Sequence, residues 1–212
     1  GPLVLTVDLP FYPQDGTPIY VRPIAEKYGW PSGEVATPEQ ARELRDTVAF
    51  VGSRYPYRER FVRELASYPL RLWGSGWDRA ESSEVRNLVA GGPVWGEAKL
   101  AIYCGATLSL NHHHPMNDIV GVNTRAFELA AAGACQVADH KDELPALFAP
   151  GHEVINYRDL HELRRHLDYY LAHPDEAREI GQNALKRALG EHTLRHRIEE
   201  IVHELDRRFG VR

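Results

Sequence analysis

From Val48 onward, short β-branched or apolar runs alternate with longer stretches of helical period, and that alternation restricts the chain to an α/β fold built on a parallel sheet. Val48 to Val51 reads as a buried strand ended by Gly52-Ser53, followed by a helix over Arg58 to Ser67 with apolar residues at Phe61, Val62 and Leu65. Leu70 to Trp73 repeats the strand signal and breaks at Gly74-Ser75-Gly76, and Glu84 to Val89 reads as a short helix. Glu97 to Tyr103 has helical period and Thr107 to Leu110 that of a strand. A polar loop from Asn111 to Asn123 then opens a helix over Thr124 to Ala132, capped by Gly133. Ala134 to Ala138 and Glu153 to Ile155 complete the predicted sheet.

The C-terminal stretch is helical: Leu160 to Leu171, a break at His173-Pro174, Glu176 to Leu189, then His192 to Phe209. Leu160, Leu163, Leu167, Tyr170 and Leu171 form one apolar stripe, and Ile198, Ile201, Val202, Leu205 and Phe209 a second, so both helices are expected to pack on the sheet. Before Val48 the chain changes character. Pro2, Pro10, Pro13, Pro18, Pro23 and Pro31 make residues 1–47 a proline-rich connecting segment ahead of a domain over residues 48–212. Within that segment Val4 to Leu9 could add an edge strand, and Thr37-Pro38 has the form of a helix N-cap followed by proline. Gly1-Pro2 matches the scar that protease cleavage leaves on an excised domain.

The chain is 43% apolar over 212 residues, enough to build a core without disulfides. Cys104 and Cys135 both lie in apolar runs and read as small buried hydrophobes of a reducing compartment. The sequence contains neither a membrane-spanning apolar run nor a basic N-terminus leading into an apolar stretch, so a cytoplasmic location is expected. A net charge of −5 disfavours nucleic acid as the partner.

The residues suited to chemistry concentrate where the polar loop enters the helix at Thr124. Free backbone N–H groups, the positive end of a helix dipole and Arg125 converge there as an anion site, while Glu128, one turn inside, could accept hydrogen bonds from two vicinal hydroxyls. A turn, a cap and an internal ion pair would use the same residues. Gly52 and Ser53 end the first strand, and Arg58 behind them is either a bidentate phosphate clamp or a surface arginine. Val94-Trp95-Gly96 could line a base pocket or fill the core. His112-His113-His114 invites a metal reading, but adjacent side chains on an extended chain alternate in direction, which favours one histidine in a ligand cleft over a shared ion.

The run Asn123-x-Arg125-x-Phe127-Glu128-x-x-Ala131-x-Gly133-Ala134 resembles the signature of CgeB-type, spore-maturation-like glycosyltransferases. The likeness continues through Leu147-Phe148-x-Pro150-Gly151-x-Glu153-Val154, Tyr157-x-Asp159, Tyr170-Leu171-x-His173-Pro174 and Glu191-His192-Thr193-x-x-x-Arg197. Upstream it includes Phe50-Val51-Gly52-Ser53, Trp73-Gly74-x-Gly76-Trp77 and Gly92-Pro93-Val94-x-Gly96, covering roughly residues 48–202. The resemblance implies a Rossmann-like parallel sheet flanked by helices, the C-terminal half of a GT-B enzyme related to glycosyltransferase family 4.

It further implies transfer of a sugar from a nucleotide diphosphate sugar, a UDP-sugar being one option, to a glycan, protein or small-molecule acceptor. Neither metal nor other cofactor is expected, and the acceptor site and any catalytic base would lie in a separate N-terminal domain. The expected donor-binding residues are Gly52, Ser53, Arg58, Val94, Trp95, His112, Val122, Asn123, Thr124, Arg125 and Glu128, with Glu128 on the ribose. Family 4 enzymes often carry a second glutamate eight positions earlier; here that position is Val120, for which Asn117 or Asp118 could substitute. The alternative is a non-catalytic nucleotide-sugar-binding module that acts with a partner. A nicotinamide-binding Rossmann protein is disfavoured because the first strand is not followed by Gly-x-Gly-x-x-Gly.

Overall fold

A computed structural model describes residues 43–115 and 120–210, apart from the side chain of Glu97. The candidate strand at Val4 to Leu9, the helix start at Thr37 and the loop residues Asn117 and Asp118 lie outside the described residues.

Six parallel strands form one sheet. In chain order they are β1 (Val48–Val51), β2 (Leu70–Trp73), β3 (Val89–Gly91), β4 (Leu108–Asn111), β5 (Gln136–Asp139) and β6 (Ile155–Tyr157), and their order across the sheet is β3-β2-β1-β4-β5-β6. Helices α1 (Pro56–Arg63), α2 (Ser83–Asn87), α3 (Gly96–Gly105), α4 (Thr124–Ala131), α5 (Leu144–Leu147) and α6 (Leu160–Ala172) connect or follow the strands. The C-terminal α7 (Pro174–Glu191) and α8 (Leu194–Phe209) complete the expected α/β class.

Alternate residues of β1 serve opposite faces of the sheet. Val48 and Phe50 join Val62, Leu65, Leu163 and Leu167 of one core, while Ala49 and Val51 join Ile102, Tyr103 and Leu129 of the other. A strand covered on both faces favours apolar residues at successive positions, which makes Val48 to Val51 legible as a buried strand. A third cluster joins α4 to α7 through Ala126, Ala130, Ala184 and Ala188. Gly133 ends α4 at φ +66°, and α7 lies so close that a Cβ on Gly181 would sit 2.2 Å from the Gly133 carbonyl oxygen.

Some elements differ from the sequence reading. β3 takes Val89 from the end of the expected helix and is not signalled by the sequence: it is three residues long and partly exposed at the sheet edge, so it carries no apolar run. β6 begins at Ile155, two residues later than expected, because Glu153 serves the preceding turn, where its carboxylate accepts the Ala149 N–H at 2.7 Å and pairs with Arg187 at 3.2 Å. The stripe on α6 packs into the core as expected, but the one on α8 does not. That helix starts at a capping box between Thr193 and His196 and buries no residue, leaving Ile198 51% and Phe209 70% exposed. Cys104 and Cys135 are free thiols.

Candidate functional site

β1 pairs with β2 on one side and β4 on the other, so consecutive crossovers diverge at the gap between β1 and β4. In an open parallel sheet a crevice forms outside the carboxyl ends of the strands at such a switch point. Here it is a cleft of about 530 Å³, whose walls come from the turns after β1, β2, β3 and β4 and from α3 and α4.

Its floor depends on one buried amide. Asn111, the last residue of β4, is fully buried and exchanges hydrogen bonds with Asn123: Asn111 Nδ2 donates to Asn123 Oδ1 at 3.1 Å, and Asn123 Nδ2 donates to Asn111 Oδ1 at 2.9 Å. Asn123 Oδ1 also accepts the Ala126 N–H at 3.2 Å, capping α4. Arg125 NH1 donates to Asn111 Oδ1 at 3.4 Å. The pair thereby ties the N-terminus of α4 and the Arg125 guanidinium to the end of β4.

Arg58 reaches the same place from α1. It is 7% exposed and donates from NH1 to the Ser53 carbonyl oxygen at 3.1 Å. The two guanidinium groups meet over Gly52: a Cβ there would lie 3.2 Å from Arg125 NH2 and 3.5 Å from Arg58 NH1. Glycine thus keeps a backbone surface open beneath two cations and a helix N-terminus, an arrangement suited to a diphosphate.

One turn inside α4, the Glu128 carboxylate pairs with Lys99 of α3, Oε2 to Nζ at 2.9 Å. A carboxylate beside the two guanidinium groups would repel an anion placed there, and Lys99 offsets that charge while leaving acceptor capacity on Glu128 for hydroxyl donors. Tyr103 lies in the wall next to this pair, and burial pushes its phenol up to about 12, so it stays neutral. At the far end Trp95 is 73% exposed beside Pro93 and Val94.

Of the residues named from sequence, Gly52, Ser53, Arg58, Val94, Trp95, Asn123, Thr124, Arg125 and Glu128 all line this cleft. Val122 packs instead against the α4–α7 cluster. The three histidines, which follow the end of β4, take three different positions. His114 lines the cleft, His113 is buried with Nδ1 2.7 Å from Asp139 Oδ1, and His112 faces a second cavity of about 460 Å³. There His112 stacks on Phe61 at 3.9 Å with Nδ1 3.1 Å from the Tyr157 hydroxyl, so the cleft position expected for His112 belongs to His114. Lys99, Tyr55 and Gly74 were not anticipated; the only signal for Lys99 was its place one turn after Trp95.

Burial lowers the His112 pKa from 6.5 to about 4, against the opposing pull of Asp139. An unfolded histidine takes up its proton near pH 6.5, so between that value and about 4 the unfolded chain binds more protons. The contribution of His112 to stability is accordingly expected to be constant above pH 7 and to fall as pH drops from 6.5 towards 4, by at most about 3 kcal/mol. Thermal unfolding across that window should show a shallower slope in His112→Gln. An identical slope in the variant would assign the effect to another group.

Residues 39–203 match the family model described as glycosyl transferase-like. The chain belongs to that family. Solved glycosyltransferase-like structures share its fold. Sucrose-phosphate synthase from Thermosynechococcus elongatus has a TM-score of 0.58 at 19% identity, over 79% of this chain and 48% of that one. HepE from Anabaena, in complex with UDP-glucose, gives 0.61 at 14% identity, over 80% and 53%. The C-terminal domain of a group 1 glycosyl transferase from Francisella tularensis gives 0.50 at 11% identity, over 70% and 86%. The chain therefore spans about half the length of the first two. No curated protein sequence matches it. The glycosyl transferase-like chain has the Rossmann-like sheet of GT-B enzymes. Among its described residues no helix is long and apolar enough to cross a membrane.

Proposed function

We propose that the cleft binds the nucleotide of a nucleotide diphosphate sugar, and that this chain supplies the donor grip of a glycosyl transfer. The observation that carries the reading is the meeting of Arg58 and Arg125 over Gly52 at the start of α4, with the Lys99–Glu128 pair one turn further in. Diphosphate oxygens would take the guanidinium groups and the α4 N–H groups, ribose hydroxyls would donate to Glu128, and the base would lie against Trp95. The CgeB-type and family 4 likeness supports the same roles for Asn123 and Glu128. A UDP-sugar is the donor we favour, since HepE is a UDP-glucose complex of similar fold.

Transfer breaks the bond between the anomeric carbon and the β-phosphate oxygen, and the electron pair leaves with the diphosphate. Arg58, Arg125 and the positive end of α4 stabilise that developing charge without a metal ion. The acceptor oxygen bonds to the anomeric carbon and releases its proton to a base that the resemblance assigns to the opposite domain. Because the chain spans about half of two relatives, a donor-binding module that works only with a partner domain is the second reading.

Calorimetry with ADP, GDP and UDP, and then with their sugar conjugates, tests the proposal. Glu128→Ala is expected to weaken the preferred ribonucleotide by about 5- to 20-fold through loss of two hydrogen bonds, and to leave its 2′,3′-dideoxy analogue unaffected. Equal losses for both ligands would remove Glu128 from the ribose. Binding with no transfer when a candidate acceptor domain is added would favour the module.

A further inference from the structure

We propose that Tyr55, backed by Tyr57 and edged by His114, is a stacking subsite for a pyranose ring at the phosphate end of the cleft. The inference rests on the donor reading above and adds the group beyond the diphosphate. A chain of short distances sets the order of the subsites. Glu128 and Arg125 lie one turn apart on α4, the Arg125 and Arg58 guanidinium groups converge on Gly52, and the Arg58 guanidinium carbon lies 5.2 Å from the centre of the Tyr55 ring and 5.6 Å from that of Tyr57. A ligand with its ribose on Glu128 and its phosphates over Gly52 would therefore carry its next group to Tyr55.

The ring there is both available and fixed. Tyr55 lines the cleft with 44% of its surface exposed, so its ring can be reached from the cleft. Its backbone is extended (φ −132°, ψ 154°) because Pro56 follows and begins α1, and a residue before proline has little other choice. Tyr57 stacks beside it with ring centres 6.0 Å apart and planes at 15°. His114 stands edge-on to both rings, 5.6 Å from Tyr55 and 5.1 Å from Tyr57. A preorganised aromatic face loses little freedom on binding, and its negative π surface suits the C–H face of a sugar, whose hydroxyls point outward to polar groups and water. Val120, by contrast, offers a sugar no polar atom from its side chain.

The pyranose could be that of the donor or of an acceptor glycan, and titration calorimetry separates the two. Wild type, Tyr55→Ala and Tyr55→Phe are titrated with whichever of ADP, GDP and UDP binds, with the hexose conjugate of that nucleotide, and with methyl α-D-glucopyranoside in the presence of the nucleotide. Tyr55→Ala is expected to weaken the conjugate by about 3- to 10-fold more than it weakens the plain nucleotide, whose Arg58 ligand stands over the same ring, and Tyr55→Phe to behave as wild type. Loss of the glucoside alone would keep the subsite and assign it to the acceptor. Nucleotide and conjugate weakened equally, or no response from any sugar ligand, would overturn the subsite while the donor reading stood. Failure of all three nucleotides to bind wild type would overturn both.

Discussion

Replacing Arg125 with alanine is expected to weaken binding of a nucleoside diphosphate by about 10- to 100-fold and to leave the affinity for the parent nucleoside unchanged. Among the described residues no carboxylate pairs with Arg125; its neighbours include the Asn111 amide oxygen at 3.4 Å, the Phe50 ring at 5.9 Å and the Tyr103 phenol. A half-buried cation held by neutral groups retains most of its attraction for an anion, and the N-terminus of α4 adds to it. The same argument gives the sign of the effect on stability. With no ion pair to lose, Arg125→Ala should unfold at or slightly above the wild-type temperature, whereas removing a structural arginine would lower it. Arg125→Lys restores charge without the planar fork and should recover only part of the affinity. Calorimetry with matched nucleoside and diphosphate decides the matter: equal losses for the two would mean that the cleft had collapsed.

What the sequence disclosed follows from which constraints are local. β1 is an interior strand buried at all four positions, and burial on both faces gives it an apolar run that can be read directly, whereas β2 and β4 show leucines only at alternate positions, with exposed Arg71 in one and buried Ser109 and Asn111 in the other. The strand order is not local. Nothing in the pattern of Val48 to Val51 says that β4 rather than β3 lies beside it, and that pairing creates the cleft. Asn123, Arg125 and Glu128 were found together because they share one helix start, whose cap and dipole are sequence features. Lys99 comes from a different helix and meets Glu128 only once the sheet is assembled. The histidine run shows the same limit: alternation separates neighbouring side chains, but His112 and His114 are two apart and share a phase, so what puts His114 in the cleft and His112 against Phe61 is the path of the chain beyond β4. The stripe on α8 was legible as an apolar face, yet periodicity reports that a face exists and is silent on what covers it.

Gly74→Ala is expected to destabilise the fold by about 3 to 5 kcal/mol, combining a disallowed backbone with a steric clash. Gly74 follows β2 at φ +142°, where L-residues are strained, and a Cβ there would stand 2.2 Å from the Gly52 carbonyl oxygen and 2.6 Å from its carbon. Neither atom can yield cheaply. Gly52 N–H donates to the Trp73 carbonyl at 2.8 Å, and Gly52 O accepts the Trp77 indole N–H at 2.7 Å. Trp77 is itself fully buried, edge-on to Phe50 at 6.2 Å, so displacing Gly52 disturbs the core beneath β1. The midpoint of thermal unfolding should fall by roughly 10 °C for a domain of this size. Gly92→Ala, in the next turn along the same rim, has no atom within 4 Å of its Cβ position and no positive φ, and is expected to stay within about 0.5 kcal/mol of wild type. The contrast also bears on function, because Gly52 is the surface over which Arg58 and Arg125 meet. If residual folded Gly74→Ala still bound a nucleoside diphosphate with wild-type affinity, the close packing of the β1 and β2 turns would serve the core alone. Weakened binding in protein shown to be folded would make that same contact part of the phosphate site.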